Sequence, residues 1–70
     1  SNTGKAVFIE KDGVAVRKEV ETGDIVGTSI EIKTGLMNGD IVILDRRVID
    51  QQKIEYELVP NTDTAYIELG

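Results

Sequence analysis

The chain has 70 residues, no cysteine and no histidine, so it is at most one small domain without disulfides, thiolate metal sites or imidazole chemistry. Thirteen acidic against eight basic residues give a net charge of −5, and the scattered Lys and Arg leave no basic face for nucleic acid or an anionic membrane surface. Hydrophobic residues make up 40% but aromatic ones only 4% (Phe8, Tyr56 and Tyr66), which predicts a thin core.

From the start, Ser1-Asn2 reads as a protease-cleavage scar, and residues 1–70 as a single domain excised from something longer. Residues 7–10 form a first apolar run, which Lys11-Asp12-Gly13 turns back in a tight hairpin, because an Asp-Gly pair reaches positive φ cheaply. Val14, Val16 and Val20 then alternate with Ala15, Arg17, Glu19 and Glu21, giving one core face and one wet face. Lys18 falls on the core face, where an ammonium is costly, so a β-bulge or the end of the buried stretch is expected there. The glycines of residues 23–28 predict a longer loop.

Ile30 and Ile32 alternate with Glu31 and Lys33 in the next strand. Residues 34–40 carry Gly35 and Gly39, with room for a helical turn at residues 36–38. Ile41-Val42-Ile43-Leu44 is apolar on both faces and predicts a central or doubly covered strand. The polar stretch 50–53 leads to a fifth run, in which Ile54, Tyr56 and Leu58 alternate with Glu55 and Glu57; any helix over 48–52 is weaker still. Pro60-Asn61-Thr62-Asp63 then precedes a last short strand over 65–69. The pattern predicts an all-β fold of about six short strands, a small antiparallel sandwich or partly open barrel. Its expected core is Val7, Ile9, Val14, Val16, Val20, Ile30, Ile32, Leu36, Val42, Leu44, Ile54, Tyr56 and Leu58.

No residue is nominated as catalytic, cofactor-binding or metal-ligating. Glu19 with Glu21, and Glu55 with Glu57, share strand faces, but such i, i+2 carboxylates make a solvated outer face. No Asp-x-Asp-x-Asp-Gly calcium loop is present. Gly23-Asp24-Ile25-Val26-Gly27-Thr28 lacks the Gly-Lys-Ser/Thr ending of a phosphate loop. Ser1, Ser29 and the threonines have no base to activate them. An enzyme is not expected.

In Gly35-Leu36-Met37-Asn38-Gly39-Asp40-Ile41-Val42, Gly35 ends a strand, Leu36 drops into the core, Gly39 supplies positive φ, and Asp40 bonds nearby N–H groups. Upstream, in order, stand Val7-Phe8-Ile9, Asp12-Gly13, the run from Val14 to Val20, and Thr22-Gly23. This order, from about residue 7 to residue 44, resembles the C-terminal, membrane-proximal domain of membrane fusion proteins, the periplasmic adaptors of resistance-nodulation-division efflux pumps and related ABC exporters. Arg46-Arg47 departs from the small residues usual there, and residues 59–70 have no counterpart.

The resemblance implies a non-catalytic, periplasmic β-domain, anchored at the inner membrane through the rest of its parent. Its partners would be the inner-membrane transporter subunit and other adaptor protomers, which it helps couple to an outer-membrane channel. It also implies that a sheet edge completed in the parent lies open here, to be filled by the tail 65–69 or by strand pairing between fragments. The alternative readings are a generic β protein–protein interaction module of a larger surface or cytoplasmic protein, and a small-molecule or metal sensor.

Overall fold

The computed structural model describes residues 2–45, 47–54 and 63–69, with the backbone alone at residues 2 and 3. The described residues form five antiparallel strands and no helix: β1 (Asn2–Lys11), β2 (Val14–Val26), β3 (Ser29–Thr34), β4 (Ile41–Ile43) and β5 (Tyr66–Glu68). They lie in one sheet of order β4-β1-β2-β3-β5. Val42 of one edge and Ile67 of the other share a buried cluster with Ile9, Val20 and Ile32. The sheet is therefore curled into an open half-barrel rather than laid flat.

Two-residue turns set the register. Asp12 (φ 53°) and Gly13 (φ 79°) both take positive φ, the mirror-image turn whose twist matches its flanking strands, and Lys11 lies opposite Val14. The longer loop expected over residues 23–28 does not form. β2 runs on to Val26, and Gly27 (φ 63°) with Thr28 turns directly into β3. The strand survives its glycine because its pairing slips on either side of Thr22: Lys33 is an extra residue of β3 on one side, and on the other an extra residue at positions 23–24 bends β2 instead of ending it. β2 thereby pairs with β1 along its first part and with β3 along its second.

The doubly apolar run 41–44 is covered on both faces at Val42 and Ile43, yet β4 is an edge strand, not a central one. Its second face is covered by a separate cluster of Ala15, Ile43 and Val48, with Phe8 and Ile54 packed against it. Ala15 belongs to the face expected to be wet and is fully buried, because the return segment 48–54 folds over it. That segment also extends the sheet: Ala15 N–H donates to the Gln52 carbonyl at 2.8 Å, and Ile54 N–H to that of Gly13 at 2.8 Å. Leu44, expected in the core, is instead 46% exposed, since the chain leaves the sheet after Ile43. Val7, Val14, Val16, Ile30, Leu36 and Ile54 are half-buried. Tyr56, Leu58 and the rest of the fifth run beyond Ile54 lie outside the described residues. Where helical turns were conceivable, residues 36–38 and 48–52 form β-turns closed by Asp40 N–H to Met37 O (3.0 Å) and Gln52 N–H to Ile49 O (3.1 Å).

Candidate interaction surface

The loop between β3 and β4 is built as its residue types require. Gly35 (φ 115°) sits directly on the backbone of Glu19 and Val20, and Leu36 packs against the main cluster. Gly39 (φ 94°) returns the chain, and Asp40 Oδ2 accepts the Met37 N–H at 2.9 Å. The same oxygen accepts Lys18 Nζ at 2.7 Å, with the two side chains 26% and 16% exposed.

This pairing overturns the expectation of a bulge or the end of the buried stretch at Lys18, since Val20 beyond it is buried. The β1–β2 register is unbroken there, Val7 opposite Lys18, and a carboxylate from the β3–β4 loop neutralises the ammonium. Sequence reasoning placed both residues without joining them. The signal that could have joined them was the conflict itself, because a lysine on a core face calls for a carboxylate brought in from elsewhere.

The Lys18 hydrogen bond, then the Met37 N–H, hold the Asp40 carboxyl below its ordinary value of 3.8. A depressed carboxylate pKa stabilises the fold above the unfolded value, and that contribution disappears as pH falls through the folded pKa. Asp40→Asn is accordingly expected to cost about 1–2 kcal/mol at neutral pH. Thermal melts of the two proteins should keep a constant gap at neutral pH and converge as the pH drops below 3.8. A gap that persists in acid would assign the loss to something other than this charge.

At the bend of β2, Thr22 is 4% exposed and its Oγ1 has no hydrogen-bond partner among the described residues. Leaving a buried hydroxyl unpaired costs about 1–3 kcal/mol. Thr22→Val keeps the shape and the β-branch while deleting that hydroxyl. It should stabilise the domain by about 1 kcal/mol, raising Tm by roughly 4–8 °C. A lowered Tm would mean that the hydroxyl is satisfied.

Between the edges of the half-barrel lies an apolar groove of about 470 Å³, with Val7, Val20, Ile30, Val42 and Ile67 in its lining and Lys5 beside them. Exposed apolar residues elsewhere include Ile25 and Val26 beside the β2–β3 turn, Met37 in the 35–40 loop, and Ile49.

Glu19 is exposed and lies 3.4 Å from Arg17 Nη1, Glu21 is half-buried, and Glu55 and Glu57 fall outside the described residues. Among the described residues no cluster of three or more His, Cys, Asp or Glu side chains could hold a metal. The stretch 23–28, compared above with a phosphate loop, is a strand end and a tight turn. Ser29 is in β3. Arg47, part of the departure from the family pattern, folds back on Asp45, with Nη2 to Oδ2 at 2.8 Å and Nε to Oδ1 at 3.0 Å. Comparison with family models, with curated proteins and with solved structures found no match.

Proposed function

We propose that this chain is the C-terminal, membrane-proximal β-domain of a periplasmic efflux adaptor, a non-catalytic module that seats the adaptor on an inner-membrane transporter subunit and against neighbouring protomers. In that role it helps couple the transporter to an outer-membrane channel. The observation that supports the reading best is the 35–42 segment. Within the G-L-x-x-G-D-x-V pattern, Gly35 serves close approach, Leu36 packs, Gly39 supplies positive φ and Asp40 makes a double anchor. The apolar groove and the exposed apolar side chains suit a docking role.

The test is the reading frame from which the chain derives. It should encode a signal peptide or lipid-attachment site upstream, then a lipoyl-like domain and a long coiled-coil hairpin. A frame without these would leave the generic β interaction module as the reading.

A further inference from the structure

We infer that Asn38-Gly39 is a self-modifying site, at which Asn38 loses its side-chain amide and thereby loosens the loop that Asp40 anchors. The inference is independent of the adaptor reading. The three asparagines of the sequence are Asn2, Asn38 and Asn61; the first and last precede threonine, and only Asn38 precedes glycine. The nitrogen of the following residue is the nucleophile in this chemistry. A glycine has no side chain to shield it, whereas a β-branched residue crowds it.

The surroundings favour the reaction. Asn38 and Gly39 are both exposed, nothing lies within 4 Å of where a Gly39 Cβ would be, and neither residue takes part in a hydrogen bond among those described. The bonds that close the turn belong to Met37 and Asp40, so its tip can open without disturbing the core.

The Gly39 nitrogen attacks the Asn38 side-chain carbonyl carbon. A C–N bond forms, the C–Nδ2 bond breaks, and ammonia leaves carrying the proton from the Gly39 N–H. Water then opens the five-membered imide at either carbonyl, giving an aspartyl or an isoaspartyl residue; the sum is asparagine plus water to acid plus ammonia. Both products place a new carboxylate two residues from Asp40. The isoaspartyl form also adds a methylene to the backbone between Met37 and Asp40, the span closed by the 3.0 Å turn bond and the 2.9 Å side-chain bond.

The experiment incubates the intact folded chain at mildly alkaline pH, with a urea-unfolded sample in parallel, and maps peptides by mass. The expected result is a gain of about 1 Da confined to the peptide holding Asn38, absent from Asn38→Gln, with Asn2 and Asn61 unchanged. The converted protein, separated by anion exchange on its extra charge, should melt below both the starting protein and the Asn38→Asp variant, which carries the charge without the lengthened backbone. Conversion in the unfolded sample alone would overturn the proposal by showing that the native turn shields the site. So would a converted pool that melts with Asn38→Asp.

Discussion

Gly35→Ala is expected to cost the domain about 3 kcal/mol, combining a positive-φ penalty with overpacking. The added Cβ would stand 2.5 Å from the Glu19 carbonyl oxygen and 2.8 Å from both Cα and Cγ1 of Val20. Two of those three atoms are backbone of β2, which is tied to β1 by the Ala6–Glu19 and Lys5–Val20 pairs, so neither can withdraw without breaking the ladder. At about 4–8 °C per kcal/mol for a domain this size, Tm should fall by roughly 12–24 °C. Gly39→Ala is the control, because it meets a positive φ of 94° but open space. It should cost only about 1 kcal/mol, and Gly39→Val somewhat more. Equal melting shifts for Gly35→Ala and Gly39→Ala would show that the close approach of Gly35 does not govern its choice.

A chain ending at Val59 is expected to lose most of its stability and to associate. The tail pairs within its own chain, Ser29 opposite Glu68, Ile30 opposite Ile67 and Glu31 opposite Tyr66. Backbone bonds add to this pairing, from Ile32 N–H to Ala65 O (2.8 Å) and from Leu69 N–H to Thr28 O (2.7 Å). Ile67 is 7% exposed in the main cluster, and truncating a buried isoleucine to alanine alone costs about 2–5 kcal/mol. Removing β5 also uncovers the outer edge of β3, whose N–H and C=O groups then seek another strand. Light scattering and thermal melts of the full and shortened chains decide the matter. A shortened chain that stays monomeric with an unchanged Tm would show that the tail contributes nothing. Ile67→Ala separates the two effects, since it should lower Tm without inducing association.

Of the two arrangements open to the tail, pairing at home or with a neighbour, the first is the one observed. Turn chemistry was the most legible part of the chain. Asp12-Gly13 and Gly35 to Asp40 act as their residue types demand, because positive φ and short polar side chains are local properties that need no knowledge of the fold. What depended on distant covering was harder to read. Ala15 looks solvent-facing by alternation and becomes buried because the segment after β4, with Val48 in it, packs over it. Val48 itself stands in an irregular stretch with no period to announce it. The continuation of β2 through Gly23 was hidden for the opposite reason. Two glycines in six residues suggest a loop, whereas one accommodates a bend and the other makes the hairpin turn. The 35–40 loop was legible as a motif, whereas the groove was not, since a curl that brings Val42 and Ile67 into one cluster is a property of the whole sheet.

The bend in β2 at Thr22 has a kinetic consequence. Because the strand changes partner there, its two halves belong to two separate hairpins, each closed by a two-residue turn and each able to form within microseconds. The contacts expected to form first are then those of the three-stranded meander β1-β2-β3, made only of neighbouring segments. β4 and β5 must each close a long loop before they are held, and they join last. Opening under native conditions retraces that order. The amides of β4 and β5 are therefore expected to exchange with solvent through partial openings, and those at the start of β2, with partners on both edges, only when the whole domain unfolds.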